Sequence, residues 1–267
     1  MQRTLLNNDE YKTLFDKGGD SLVAFFATLR YHKKEVVYKK VGRKGSYATI
    51  RSYTGLSINC IKEYLPVLME MGLVDVHSNG NIAVKGRNYT SRHLKCTNKD
   101  KLIPITVYKK FSKTKSSSYY VRVHSNLKSQ EKGIKKKAER LKLHCKYADG
   151  NISSQKELKA LQKLERRGLD ETTLKNSYRS NSTLSNSTFS KIKGSNSKGS
   201  GEYQKNKLIK MGLISQQRDF KLFKSGVFSK SDVSYLRNEL NVNGLFLSPF
   251  GIVQEISPLI SICNSRY

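Results

Sequence analysis

The sequence has no tryptophan, and only four prolines and four cysteines among its 267 residues. Cys60, Cys96, Cys145 and Cys263 stand far apart, without the paired spacings of a disulfide framework or a zinc ribbon. Reduced thiols in a cytoplasmic protein are the simplest reading. No run of ~18 apolar residues occurs, so no membrane-spanning helix is expected. The first residues, Met1-Gln2-Arg3-Thr4-Leu5-Leu6, pass straight into Asn-Asn-Asp-Glu and do not form a secretion signal. Acidic residues are scarce, 21 against 50 basic ones, and two-metal nucleases need clustered carboxylates. Also missing are a glycine-rich loop ending in Gly-Lys-Ser/Thr, a His-hydrophobe-His motif, an Asp-x-Asp pair and a His-x-x-Arg neighbourhood. The five histidines, at 32, 77, 93, 124 and 144, are scattered. His93-x-x-Cys96 and His144-Cys145 are the nearest approach to a metal set, but Cys145 falls on an apolar helix stripe. The expectation is a protein that is not an enzyme and has no cofactor and no metal.

What is present is positive charge. The excess of basic over acidic residues is +29. A chain so charged repels itself unless a polyanion neutralises it, and nucleic acid phosphates do so with release of counterions. An anionic membrane would call for a basic amphipathic helix rich in Phe and Leu, which is not found. The charge is uneven. Residues 101–146 hold 14 Lys/Arg and two acids, Glu131 and Glu139, whereas residues 219–267 hold five and four. Lysine outnumbers arginine and Asn and Ser are frequent, a bias that AT-rich coding also produces.

Asp20 begins a helical pattern with Leu22, Val23, Phe25, Phe26 and Leu29 on one face. Glu35–Tyr38 reads as a short strand and residues 39–45 as a basic turn. Ser46 caps a second helix with Tyr47, Ile50 and Tyr53 inward. After Thr54-Gly55-Leu56, Ser57 caps a third helix whose inward positions are Ile61, Leu65, Leu68 and Tyr64. Pro66 predicts a kink or a tighter last turn, and Gly72 closes the helix. Val74–His77 alternates like a strand, Asn79-Gly80 is a strong hairpin signal, and Asn81–Val84 returns.

This order resembles the winged helix-turn-helix family. The likeness rests on Leu56-Ser57, on Ile61 and Leu65, and on Leu68-Met69-Glu70-Met71-Gly72-Leu73-Val74 followed at once by the Asn-Gly hairpin.

The middle reads as strands at Leu102–Val107 and Tyr119–Val123 around a Ser/Lys loop, Ser112–Ser118, and as a helix over Asn126–Tyr147. That helix has Leu127, Ile134, Ala138, Leu141 and Cys145 on one stripe and Lys132, Lys135, Lys136, Lys137, Arg140 and Lys142 elsewhere. A further helix starts at Ser153 or Ser154 and ends near Gly168. Residues 175–201 are Ser- and Asn-rich, as a linker or exposed turns would be.

The first motif then recurs. Leu208-Ile209-Lys210-Met211-Gly212-Leu213-Ile214 repeats residues 68–74. Ser185–Lys193 is the matching second helix, Gly194–Ser197 the turn, and a residue near Ser200 the cap of the third. Gly201 and Lys205 stand where the first copy has Ile61 and Leu65, a departure from the family pattern. A short helix, Ser231–Leu240, precedes a wing formed by Leu245–Leu247 and Ile252–Ile256. The predicted fold class is therefore α+β, with two winged helix-turn-helix domains, 1–100 and 175–267, joined by a basic connecting region, 101–174.

The resemblance implies that the third helix of each copy enters the major groove and that the wing touches backbone or minor groove. By position it assigns Ser57, Asn59, Lys62, Glu63, Asn79, Asn81, Lys85 and Arg87 in the first copy. In the second it assigns Lys198, Ser200, Tyr203, Gln204 and Lys207. Asn pairs with adenine, Lys with guanine, and Glu accepts from cytosine. Lys135, Lys136 and Lys137 supply phosphate contacts. The architecture is similar to plasmid and phage replication initiators. The implied function is sequence-specific binding of double-stranded DNA, with host replication proteins recruited and a homodimer as one arrangement. A transcriptional regulator, or a phage structural protein coating nucleic acid without sequence preference, is the alternative.

Overall fold

The computed structural model describes residues 2–32, 44–76, 82–96, 102–152, 154–177 and 183–263. The chain is α+β and divides into two compact units, Met1–Arg122 and Val123–Tyr267. The boundary lies within one long helix, so the expected connecting region 101–174 is shared between the units.

In the first unit, β1 (Gln2–Asn7) pairs antiparallel with β4 (Leu102–Val107). Between them come α1 (Asn8–Tyr31), α2 (Lys44–Thr54), α3 (Ile58–Glu70), β2 (Val74–Val76), β3 (Ile82–Val84) and α4 (Arg87–His93). Helix α1 starts in a capping box, with the Asn7 side chain accepting from Asp9 N and Glu10 accepting from Asn7 N. Asp20 opens the second part of α1, as expected, directly after a break at Gly18-Gly19 where Gly19 takes a φ of 61°. Its carboxylate accepts from Ser118 Oγ at 3.1 Å and from Arg122 at 2.6 Å.

The predicted inward positions form the core. Leu22, Phe25, Phe26, Leu29, Ile50, Ile61, Leu65, Leu68, Leu73 and Ile82 are buried together. Helix α3 runs through Pro66, which lies on its exposed side, where water can serve the carbonyl that proline leaves without a donor. Val74–Val76 and Ile82–Val84 are antiparallel, as the hairpin signal predicts. The expected strand 35–38, residues 39–43 of the expected turn 39–45, and Asn79 and Asn81 lie outside the described residues, whereas Lys44 and Gly45, expected in the turn, and Ser46, expected as a cap, belong to α2.

The expected strand Tyr119–Val123 and loop Ser112–Ser118 are a correction. Both belong to α5, which runs from Phe111 to Ala148. β4 therefore pairs with β1 and not with a following strand. Tyr120, Val123 and Leu127 are spaced three and four apart and all are buried, which is helical periodicity. The serines are small enough for close packing, and each hydroxyl finds a partner. Ser116 donates to Ser112 O, Ser117 accepts from Thr106 N, and Ser118 donates to Asp20.

In the second unit, the remainder of α5 is followed by α6 (Gln155–Glu165), capped by Ser154, and α7 (Glu171–Ser177). Then come α8 (Asn186–Lys193), α9 (Lys198–Lys210), β5 (Ile214–Ser225), α10 (Lys230–Leu240), β6 (Leu245–Ser248) and β7 (Gly251–Ile262). The sheet order is β5–β7–β6, all antiparallel. Before α8, Thr183 bridges to Leu259 of β7 and donates its N–H to Gln130 of α5. The expected wing hairpin of residues 245–256 is present, but its main partner, the long strand β5, was not foreseen.

Candidate nucleic-acid interface

Helices α3 and α9 end alike, to the level of single hydrogen bonds. At the end of α3, Gly72 N donates to Met69 O, Leu73 N to Leu68 O, and Met71 N to Val67 O. At the end of α9, Gly212 N donates to Ile209 O, Leu213 N to Leu208 O, and Met211 N to Lys207 O. Both glycines take positive φ, 63° and 66°, which side chains disfavour. The strands that follow also start alike. Leu73 O accepts from Lys85 N and Val74 pairs with Val84; Leu213 O accepts from Cys263 N and Ile214 pairs with Ile262.

Gly201 and Lys205, the apparent mismatches, occupy the inward positions. Gly201 is buried so close to α8 that a Cβ there would collide with Asn186 O and Ser190. The helices approach at that point because no side chain separates them. Lys205 is 8% exposed at the place of Leu65. A lysine is tolerated there when its apolar stem fills the site and its ammonium reaches outward.

The outward face of α3 presents Ile58, Asn59, Lys62, Glu63, Pro66, Met69 and Glu70. Asn59, Lys62 and Glu63 are thus side by side, as expected. Ser57 is exposed, but its hydroxyl is used as the N-cap, accepting from Cys60 N. The outward face of α9 presents Lys198, Glu202, Tyr203, Asn206 and Lys210. Of the expected residues there, Lys198 and Tyr203 are fully displayed, whereas Ser200, Gln204 and Lys207 sit half-buried on its flank. Glu202 and Asn206 were missed, although a one-turn offset from Lys198 and Tyr203 would have found them.

Just after β3, Lys85 is half-buried, ion-paired with Asp75 and stacked over Tyr89 at 4.7 Å. Its charge is already engaged within the protein. Arg87 is exposed at the first position of α4. On α5, Lys135 and Lys136 are exposed and Lys137 is half-buried. Lys132 and Lys142 extend the exposed set, and no ion pair among the described residues reaches Lys132, Lys135, Lys136 or Lys142. Lys128 and Lys146, by contrast, pair with Glu131 and Glu157. The exposed Arg218, Lys221 and Lys224 of β5 also escaped sequence reasoning; they are three residues apart, which is not strand alternation, and the register shifts of β5 leave no local signal for them.

The histidines considered for metal binding are tied to backbone. His93 Nε2 lies 3.1 Å from Met71 O, and His144 Nε2 lies 3.0 Å from Leu169 O. Among the described residues no three His, Cys, Asp or Glu gather as a metal set. The groups with shifted titration belong to parts of the chain other than α3 and α9. Burial pushes the Tyr119 phenol well above its usual range, and burial lowers His124. Hydrogen bonds from Thr173 hold Asp170 low, and those from Ser229 do the same for Asp232. No family model, curated protein or solved structure matches the chain.

Proposed function

We propose that the protein binds double-stranded DNA in a sequence-specific way through two winged helix-turn-helix readers, α2–α3 with β2–β3 and α8–α9 with β5–β7. The observation that carries this reading is the duplicated construction at the ends of α3 and α9, set in a chain of net charge +29. Each outward helix face would lie in a major groove. Lys135 and Lys136 would neutralise phosphates and set register without reading bases.

The two faces differ at every matched position compared: Lys62 against Glu202, Glu63 against Tyr203, Pro66 against Asn206, Glu70 against Lys210. Two such readers favour a composite, non-palindromic site. Repeated sites at a replication origin, with host replication proteins recruited, are the role to which we assign the chain. The deciding experiment is selection of DNA from a random pool by the purified full chain. Enrichment of a two-part motif supports the reading. Equal retention of all sequences means non-specific coating.

One feature of α3 favours a second reading for the first copy. Ile58 and Met69, 36% and 41% exposed, flank Glu63 and Glu70 on its outward face. Acids and apolar side chains suit a protein surface better than a phosphate-lined groove.

A further inference from the structure

After α3, Val74–Val76 pairs with Ile82–Val84, only five residues further along the chain, whereas after α9 the paired strands β5 and β7 are separated by a segment that contains α10 and β6. Composition changes in this added head. Residues 215–261 carry five basic and four acidic side chains, in a chain whose net charge is +29.

The head's sheet has two faces. Under α10, Leu245 and Ile252 pack with Val233, Leu236 and Phe228. On the opposite face Leu222, Val253 and Phe246 form one row, because Leu222 and Phe246 both pair with Val253. Paired residues of an antiparallel ladder share a face. Phe220, two residues before Leu222, meets Phe246 edge-on at 5.7 Å. This second face is open: Leu222 is 56% exposed, Phe220 41% and Phe246 36%, and Phe250 projects from the adjoining turn. An antiparallel sheet with one wet face alternates apolar and polar residues, and apolar rows on both faces call for a second cover.

We infer that this face is a homodimer interface, on which a second copy of the chain packs the same sheet about a two-fold axis. The inference goes beyond DNA binding and holds independently of it. Charge selects the occupant. Two chains of +29 repel through most of their surface, but the head carries both signs close together. Arg218, Lys221 and Lys224 lie beside Asp219 and Glu255 on the paired strands. Nucleic acid would call for aromatic rings framed by basic residues that are free to meet phosphate; here Arg218 pairs with Glu255, which stands opposite Phe220, and Arg237, over the Phe246 ring, donates to Leu245 O. The open parts of Phe220, Leu222 and Phe246 amount to roughly 200–330 Å², taking ~150–250 Å² for a free side chain of this size. That is small against the ~800 Å² per partner of a stable interface, so the dimer it forms is a weak, concentration-dependent one.

Sedimentation velocity of the nucleic-acid-free full chain, over ~1–100 μM and at low and high salt, tests this. The expected dimer fraction grows with concentration and with salt, because screening removes repulsion and leaves apolar contact. Leu222→Lys and Phe246→Gln should each raise the dimer dissociation constant by about tenfold or more. Tyr235→Ser, on the outer side of α10, should leave it unchanged, and circular dichroism checks that each variant is folded. A monomer under every condition overturns the inference. So does a dimer that dissolves as salt rises, or one that Leu222→Lys and Phe246→Gln leave intact. Binding of a single-stranded oligonucleotide by the monomer, lost in both variants, would reassign the face to nucleic acid.

Discussion

Glu10 and Arg30 show how single residues hold the first unit together. Both side chains are almost wholly buried, and the guanidinium meets the carboxylate with two nitrogens while also donating to Thr90 Oγ1 at 3.1 Å. The pair joins the start of α1, its last turn and α4. A buried pair adds little over an apolar replacement, but removing one partner strands the other charge. Glu10→Gln should therefore cost about 3–5 kcal/mol in urea unfolding, read by a probe within residues 1–122. Tyr11, one residue on, offers a pH test. Its hydroxyl donates to Ser118 O at 3.1 Å. Burial first, and the Asp20 carboxylate second, push its phenol from 10 up to about 12. The folded state thus holds this proton more tightly than the unfolded chain does. The associated stability is complete below pH 10 and is lost as pH rises from 10 through about 12. Tyr11→Phe should shrink the fall of the urea midpoint across that window. An unchanged pH profile in the variant would show that other groups govern alkaline unfolding.

Among the elements, the matched helix pairs make paired predictions. Leu68 and Leu208 are both fully buried at the same point of α3 and α9. Replacing either by Ala should cost about 2–5 kcal/mol, and each only in its own unit, as limited proteolysis of the two units would reveal. Gly201→Val should disrupt the α8–α9 contact, costing about 1–3 kcal/mol, because the added carbons meet Asn186 and Ser190. The same substitution at Gly199, which faces solvent, should cost only helix propensity. These elements were legible in the sequence because their signals are local: Ser57 and Ser185 cap, Gly72 and Gly212 terminate, and Leu68 and Leu208 keep helical spacing. β1 was not, since six residues at a chain end gain their strand identity from β4, about a hundred residues away. Nor was the start of α5, where serines and tyrosines favour turns or strands by propensity and tertiary packing decides otherwise. The site was legible to the same extent. Asn59, Lys62, Lys198 and Tyr203 follow from the periods of α3 and α9. The engagement of Lys85 with Asp75 depends on strand register, which no spacing reveals.

At the scale of the whole molecule the question is what the charge does. A binding term that comes from phosphates alone and a term that comes from base edges respond differently to salt and to mutation. Contact with about 6–10 phosphates should make log K fall with log salt at a slope near −5 to −9. The exposed lysines of α5 are suited to the first term, since Lys135 and Lys136 have no acidic partner among the described residues. Lys135→Ala with Lys136→Ala should flatten the slope by about 2 and weaken cognate and random DNA alike. Asn59 and Lys62 are suited to the second term. Replacing either by Ala should cost about 1–3 kcal/mol on the selected site and little on random DNA, with the slope lowered by about 1 at most. Fluorescence anisotropy at several salt concentrations separates the two. If the Asn59 and Lys62 variants weaken both DNAs equally, α3 does not read bases, and its apolar and acidic face would be turned to a protein instead. If the lysine variants leave the slope unchanged, α5 does not lie on the backbone, and the exposed Arg218, Lys221 and Lys224 of β5 become the cations to test.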